Sequence, residues 1–287
     1  MKLESLRLDG PFEGLELGYV DWGEPMAQRV AVCAHGLTRN SRDFDILAQA
    51  LVGRGMRVLA VDVVGRGRSS WLPDPKDYTV PNYIAHLARF LELLELKDVY
   101  WIGTSMGGII GMGLAAAGDS SPISRLVLND IGPFVPHEAL IQIQTYLGVD
   151  LVFANLDAVE QHLRTVHSGF GQLEDAHWRH LAEHGSRNQP EGLRLHYDPA
   201  IRIPYADLTA GDIDLWQAWD KITCPTLVLR GAESMLLTGA TAAEMEKRGP
   251  KAQVVVIPQA GHAPALMDRA QVDIIARWLE SSDAQRK

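Results

Sequence analysis

From residue 29 onward, short apolar runs alternate with stretches whose apolar residues recur at helical spacing. The run at 29–35 is rich in β-branched residues and ends at Gly36, which is typical of a buried strand. Strands that alternate with helices predict a mostly parallel sheet with helices on both faces. The opening segment of the chain, which includes 15–22, is predicted to form one or two antiparallel strands at the sheet edge. The predicted strands of the series are 29–35, 57–64, 99–103, 125–131, 225–231 and 253–258, and the predicted helices are 41–55, 80–96, 107–118, 238–248 and 270–280.

Residues 133–218, called the cap segment below, interrupt this alternation. They carry helical patterns, seven of the ten histidines and no clear buried strand, and they lie between two predicted strands of the sheet. Connections between neighbouring elements are normally about 2–6 residues, so this one is a lid or a disordered loop. Because it is rich in Leu, Trp, Tyr and Phe, we predict an ordered helical cap over 133–218 and a core formed by 1–132 and 219–287.

A G-x-S-x-G pattern stands at Gly103–Gly107, between an apolar strand and a helix of small residues. A serine at such a sharp strand-to-helix turn is held in a strained conformation that exposes its hydroxyl above the sheet. We therefore predict Ser105 as a nucleophile. The alternative is a serine that only caps the helix between two glycines that pack closely.

The sequence His35-Gly36-Leu37 ends the predicted strand 29–35. A backbone N–H just past this strand points to the same place as the N–H of Met106, and two converging donors stabilise the oxyanion of a tetrahedral intermediate. We predict Leu37 and Met106 as the oxyanion hole and Gly36 as part of the substrate-binding wall.

His262 lies in Gly261-His262-Ala263, directly after the last predicted strand. The carboxyl ends of parallel strands carry the functional groups of open α/β sheets. A histidine there takes the proton from Ser105 and returns it to the leaving group. The alternative is a surface-loop histidine without a role in chemistry.

Over nearly its whole length the sequence resembles the α/β-hydrolase superfamily. The resemblance rests on His35-Gly36, on Asp62 with 65–69, on the turn at Ser105, on the cap insertion and on Gly261-His262. It implies a mostly parallel eight-stranded sheet flanked by helices, with a helical cap after the sixth strand. The chain is most similar to bacterial carboxylesterases and C–C bond hydrolases, and a serine at 105 argues against the haloalkane dehalogenases and epoxide hydrolases, whose nucleophile is an aspartate.

The acid of the triad is where the sequence departs from this family. Members usually carry an aspartate in the loop after the strand at 225–231, but the expected position holds Met235. Two substitutes exist. Asp130 ends the preceding strand, where side chains are placed most rigidly, and some members carry their acid there. Glu233 lies in the usual loop, two positions early. We predict Asp130 as the acid, with Glu233 as the alternative.

Two further groups of polar residues are interpreted as structural. The resemblance implies that the loop with Asp62, Arg66 and Arg68 is a structural turn near the site, in which these side chains hold neighbouring loops by hydrogen bonds. His180 and His184 match an H-x-x-E-H zinc pattern, but they lie in the predicted cap and no third ligand stands out, so we predict no metal site.

Composition narrows the possible partners and surroundings. The 27 basic and 36 acidic residues give a net charge of −9, which disfavours binding to nucleic acid and to anionic membranes. Two cysteines cannot build a disulfide framework. No secretory signal and no run of about 18 apolar residues is visible, so we expect a cytoplasmic protein. The sequence specifies no oligomeric state.

Together these residues predict a serine carboxylesterase that acts on small to medium, fairly apolar esters. Ser105 attacks, His262 is the base and then the acid, Asp130 stabilises the imidazolium, and no cofactor is needed. Hydrolysis of a C–C bond in a diketone-like substrate uses the same groups and stays open as an alternative. So does a small-molecule receptor with slow turnover, which Met235 favours.

Overall fold

Within the residues that this computed structural model describes, 1–205 and 211–284, eight strands form one sheet. The strands of the chain are β1 (Lys2–Arg7), β2 (Glu16–Trp22), β3 (Val30–Ala34), β4 (Arg57–Val61), β5 (Val99–Thr104), β6 (Ile123–Asn129), β7 (Phe134–Val135), β8 (Ser186–Gln189), β9 (Gly192–Leu195), β10 (Ile213–Asp214), β11 (Thr226–Gly231) and β12 (Gln253–Ile257). The sheet order is β1-β2-β4-β3-β5-β6-β11-β12. Strand β2 pairs antiparallel with β1 and β4, and the remaining neighbours are parallel, which confirms the predicted sheet and its antiparallel edge.

Helices cover both faces of this sheet, as predicted. Side chains alternate along β3: Val32 and Ala34 belong to one buried apolar cluster, and Ala31 and Cys33 belong to a second cluster on the other face. Burial raises the pKa of the Cys33 thiol, so this cysteine is an inert packing residue. The helices of the chain are α1 (Asp45–Val52), α2 (Val80–Leu93), α3 (Met106–Ala115), α4 (His137–Gln144), α5 (Leu156–Val166), α6 (Asp175–Gly185), α7 (Trp216–Trp219), α8 (Gly239–Met245) and α9 (Arg269–Ala284).

The first helical stretch differs from its prediction as one helix over 41–55. A 3₁₀ turn, Ser41–Phe44, comes first, and α1 ends at Val52. Asn40 caps the turn, because its side-chain oxygen accepts a hydrogen bond from the amide of Arg42 at 3.0 Å.

The cap segment follows β6 and contains α4, α5 and α6, but it is not purely helical. Two short antiparallel pairs, β7 with β10 and β8 with β9, lie outside the main sheet. The cap segment has its own apolar cluster, with Leu163, Trp178 and Leu181, and that cluster also includes Met267 of the core. The division into core and cap domains stays a proposal.

None of the helices in the described part of the chain is both long enough and apolar enough to cross a bilayer. The cytoplasmic location stays a prediction from the sequence.

The sheet brings four loops to one edge. Ser105 follows β5, Asp130 follows β6, Glu233 follows β11 and His262 follows β12. These four strands are parallel neighbours, so their carboxyl ends meet at the same edge of the sheet.

Candidate active site

Ser105 has a strained backbone at the junction of β5 and α3, with φ 52° and ψ −116°. A positive φ is uncommon for a residue with a side chain and is maintained only where the surroundings enforce it. Both flanking glycines are required by close contact: a Cβ at Gly103 would lie 2.3 Å from the carbonyl oxygen of Gly107, and one at Gly107 would lie 2.0 Å from that of Ala34. The turn therefore fixes where the Ser105 hydroxyl points.

His262 bridges Ser105 and Asp130. Its Nε2 lies 2.9 Å from Ser105 Oγ, and its Nδ1 lies 2.8 Å from Asp130 Oδ2. Because a carboxylate only accepts, Nδ1 carries the proton and Nε2 is left to accept the hydrogen bond from the serine hydroxyl. This is the tautomer that a general base beside a serine needs.

Asp130 is fully buried, and its two oxygens accept three hydrogen bonds. Oδ1 accepts from the amide of Gly231 at 2.7 Å, and Oδ2 accepts from Ser234 Oγ at 2.5 Å in addition to His262. Buried charges are tolerated when they are paired and hydrogen-bonded, so these donors suit an ionised carboxylate.

Glu233, the alternative acid, does not meet His262. Glu233 is exposed, and its backbone amide donates a hydrogen bond to the carbonyl oxygen of Ala260 at 2.9 Å. Met235, where an aspartate was expected, is 62% exposed. Ser234 lies between them and points inward to Asp130. No sequence pattern identified Ser234 as a site residue. The one signal that could have indicated it is its position in the loop that usually carries the acid.

The predicted oxyanion residues lie where the ends of β3 and β5 meet. The amide of Gly107 donates to the carbonyl of His35 at 3.1 Å and ties the start of α3 to the end of β3. Gly36 lies against the serine, since a Cβ there would be 3.7 Å from Ser105 Cβ. Leu37 lines the cavity beside Ser105, and Met106 begins α3, so its amide is one of the N-terminal donors of that helix.

His35 holds the loop that follows β3. Its Nε2 accepts from the amide of Val63 at 3.0 Å, so Nδ1 carries the proton and donates to the carbonyl of Gly36 at 2.7 Å. Burial lowers the pKa of His35 to about 4, which keeps the ring neutral at pH 7. His35 therefore positions the backbone of the site and does not transfer protons.

The loop with Asp62 and Arg66 holds its neighbours by hydrogen bonds, as interpreted. Arg66 is fully buried, donates to the carbonyl of Leu37 at 2.9 Å and lies 3.7 Å from Met106 Sδ. Asp62 accepts from the amides of Ser41 and Arg68 at 2.7 and 3.0 Å. Arg66 thus contacts both residues predicted to form the oxyanion hole.

A cavity of about 60 Å³ opens beside Ser105 and His262. The core contributes the ion pair of Arg39 and Asp43, with hydrogen bonds of 2.7 and 2.8 Å, together with Phe44. The cap segment covers the other side with mostly apolar residues: Ile143, Tyr146, His167, Phe170 and Leu181.

The cap segment also contacts the loop that carries His262. The amide of Gly261 donates to the carbonyl of Gly169 at 2.8 Å, and that of Ala265 donates to the carbonyl of Phe170 at 3.2 Å. A Cβ at Gly169 would lie 2.9 Å from both the backbone nitrogen and the backbone oxygen of His262. The position of His262 therefore depends on the cap segment as well as on the sheet.

His180 and His184 approach Asp45 across the boundary between the cap segment and the core, with ligand-type atoms within 4.8 Å of one another. The third partner is Asp45, which the sequence reasoning did not identify. Arg42 occupies this place: it binds the Asp45 carboxylate at 2.8 Å, and its Nη1 lies 3.3 Å from His184 Nδ1. A guanidinium already neutralises the carboxylate here, so the arrangement is a contact between core and cap and is poorly suited to a metal ion.

Comparisons with known proteins agree with this fold. A family model described as alpha/beta hydrolase fold matches residues 32–267. The chain is 42% identical over 273 residues to the 3-hydroxybutyrate-oligomer hydrolase of Cupriavidus necator, across 91% of this chain and 92% of that relative. It is 26% identical over 290 residues to an esterase of Mycobacterium tuberculosis, across 97% and 93% of the two chains. The structure of an alpha/beta hydrolase from Novosphingobium aromaticivorans matches with a TM-score of 0.86 and 33% identity, over 97% of this chain and 98% of that one.

Proposed function

The chain belongs to the α/β-hydrolase family and is a hydrolase, and we propose that it is a serine carboxylesterase that forms an acyl-enzyme on Ser105. The observation that carries this proposal is the hydrogen-bonded series Ser105–His262–Asp130, with distances of 2.9 and 2.8 Å. Nucleophile, base and orienting acid within hydrogen-bond reach are the geometric signature of nucleophilic catalysis.

In the first half of the reaction, Ser105 Oγ attacks the ester carbonyl while its proton passes to His262 Nε2. Asp130 accepts from Nδ1 and stabilises the imidazolium that forms. The backbone N–H groups of Leu37 and Met106 are the proposed donors to the oxyanion, and such donors typically contribute about 10²–10³ in kcat each. The tetrahedral intermediate collapses when His262 gives the proton to the leaving alkoxide, so an alcohol departs.

In the second half, a water molecule takes the place of the alcohol. His262 Nε2 removes a proton from this water, the hydroxide adds to the acyl carbonyl, and the proton returns to Ser105 Oγ as the acid leaves. Every proton in this cycle moves through His262, and the residues present account for all of them without a cofactor.

The cavity supports a short acyl group. It measures about 60 Å³, and its walls are mostly apolar, with Phe44, Ile143 and Phe170. The relative from Cupriavidus necator is a 3-hydroxybutyrate-oligomer hydrolase. We include short oligoesters of hydroxy acids among the proposed substrates, within the predicted class of small to medium esters.

The cap segment supplies one side of this cavity, so we propose that it sets substrate preference. The receptor alternative depended on a missing acid at Met235. Asp130 lies within hydrogen-bond distance of His262, so Met235 no longer supports a weakened triad.

A labelling experiment tests the proposal. A fluorophosphonate reacts only with an activated serine, and we expect one label per chain, on Ser105. Hydrolysis of short nitrophenyl esters should accompany labelling, and a ring-cleavage dione, the substrate type of the C–C bond alternative, should be hydrolysed far more slowly. Absence of labelling, or a marked preference for the dione, would contradict an esterase.

A further inference from the structure

His167 is a buried polar residue on the wall of the cavity beside Ser105. It follows α5 directly, is 8% exposed and lines the cavity together with Ser105 and His262. Its ring stacks on Phe170 with centroids 4.5 Å apart and meets Tyr146 edge-on at 6.2 Å. Aromatic neighbours on two sides therefore fix the direction of the imidazole.

Within residues 1–205 and 211–284, the contacts found for this ring are aromatic, and no hydrogen bond to either of its nitrogens is found. Burial is the main cause that holds the pKa of His167 well below its ordinary value, and the nearby Arg39 acts in the same direction. At neutral pH the ring is uncharged, with one N–H donor and one acceptor nitrogen. Buried polar groups in native proteins are nearly always hydrogen-bonded, so an unpartnered one on a cavity wall indicates a ligand.

Two charged side chains of the wall pair with each other. Arg39 and Asp43 form two hydrogen bonds with each other, at 2.7 and 2.8 Å, and Arg39 also approaches the carbonyl of Leu181 at 3.4 Å. These bonds occupy Nε and Nη2 of Arg39 and both carboxylate oxygens of Asp43. His167 is a buried wall residue whose ring nitrogens are available to bind a polar group of the substrate.

We propose that His167 is a substrate-binding residue that recognises an oxygen at C3 of the acyl chain, and that the site is selective for short 3-oxygenated acyl groups. This inference rests on the proposed esterase function. In an oligomer of 3-hydroxybutyrate, the type of substrate named for the relative, each acyl unit carries at C3 either a free hydroxyl or an ester oxygen. A neutral imidazole accepts from the first and donates to the second.

The size of the cavity agrees with such a group. Its volume is about 60 Å³. A water molecule needs roughly 10–15 Å³ of such space, so the cavity holds about four to six atoms of that size, and a 3-hydroxybutyryl group has about six non-hydrogen atoms. The acyl group stays attached to Ser105 through the second half of the reaction, so it is the part of the substrate that the cavity must accommodate.

Nitrophenyl esters of butyrate, 3-hydroxybutyrate and 3-methoxybutyrate test the proposal on the unmodified protein. One hydrogen bond is worth roughly a three- to tenfold factor in kcat/KM, so we expect the 3-hydroxy ester to be preferred over the butyrate by that factor. If the 3-methoxy ester is also preferred, His167 donates to an ether-type oxygen; if it is not, His167 accepts from a hydroxyl. Equal kcat/KM for all three esters would overturn the inference while leaving the esterase in place.

Variants assign the preference to the residue. His167→Phe keeps a planar ring on Phe170 without its nitrogens and should abolish the preference, whereas His167→Asn restores a donor and should recover part of it. His162→Phe is the control: this half-buried histidine of α5 packs on Phe153 and does not line the cavity, so its variant should keep the preference. The assignment would be overturned if the preference for the 3-hydroxy ester is unchanged in both His167 variants. It would also be overturned if the preference depends on the alcohol part of the ester and not on its acyl part. If the unmodified protein hydrolyses none of these esters, that result would instead contradict the proposed function.

Discussion

Ser234 Oγ donates a 2.5 Å hydrogen bond to Asp130 Oδ2, the same oxygen that accepts from His262 Nδ1. The loop after β11, which carries no acid beside His262, therefore still contributes to the site by holding the acid that β6 supplies. The same hydroxyl also accepts from the amides of Leu236 and Leu237, at 3.2 and 3.1 Å. Ser234 thus couples the fold of this loop to the orientation of Asp130.

Replacement of this serine tests that coupling. Ser234→Ala removes a donor from a buried carboxylate, and loss of a hydrogen bond to a charged group costs roughly 1.5–3 kcal/mol. We expect kcat to fall by about ten- to a hundredfold with a smaller change in KM, because the group affected orients the base. Ser234→Thr keeps the hydroxyl and should retain much of the activity. Met235→Ala, at the exposed neighbour, is the control and should match the unmodified protein.

The nucleophile is tested by Ser105→Ala. Removal of the nucleophile of a working triad typically costs on the order of 10⁶ in kcat. We expect hydrolysis and fluorophosphonate labelling to be lost together, while the thermal unfolding midpoint stays within a few degrees. Near-normal turnover in a preparation free of other esterases would rule out the serine mechanism.

The acid is tested by a matched pair of amides. Asp130→Asn keeps the shape of the side chain but favours the wrong imidazole tautomer, and an exchange of this type costs about 10⁴ in kcat. Glu233→Gln removes an exposed charge that solvent screens, so activity should stay close to that of the unmodified protein. The opposite ranking would transfer the role to Glu233.

Local patterns in the sequence predict more of the fold than of the candidate active site. The apolar runs that end near Gly36, Ser105 and Asp130 indicate where strands end. Because the strands pair in parallel, these ends lie at one edge of the sheet, so the sequence is enough to predict which loops lie close together. This argument favours Asp130 over Glu233 as the acid, and Asp130 lies beside His262.

The residues that the sequence did not indicate depend on contacts between distant segments. His167 is one of seven histidines in the cap segment, and only the packing of that segment against the core places it beside Ser105. Strands β7 to β10 have two to four residues each, too few for an alternating pattern to distinguish a strand from a turn.

Acid should destabilise the protein through its buried histidines. Burial lowers the pKa of His35 and of His86 to about 4, against 6.5 for the ordinary side chain. Between these values the unfolded chain binds protons that the folded chain does not, so stability falls as the pH falls from 6.5 towards 4 and changes little from this source outside that window.

The size of the effect is measurable by urea unfolding at several pH values. One such histidine contributes at most about 3.5 kcal/mol over the whole window, since each pKa unit is about 1.4 kcal/mol. His35→Gln and His86→Gln should each flatten the dependence of the unfolding free energy on pH, and the double variant should flatten it further. A slope that is unchanged in the double variant would show that other groups cause the acid sensitivity.

The contact between the cap segment and His262 gives the last prediction. A methyl group at position 169 would lie 2.9 Å from the backbone nitrogen and oxygen of His262, a distance at which one of the two segments must move. Displacement of a catalytic group by about 1 Å can cost roughly 10² in rate, so we expect Gly169→Ala to lower kcat by about that factor and to slow labelling of Ser105 in parallel. Gly239→Ala is the matched control, because the atoms nearest to its added methyl are 4.0 Å away. If Gly169→Ala keeps its kcat and its labelling rate, the sheet alone positions His262. If kcat and labelling fall together in Gly169→Ala but not in Gly239→Ala, the cap segment helps to hold the base in place and does more than cover the cavity.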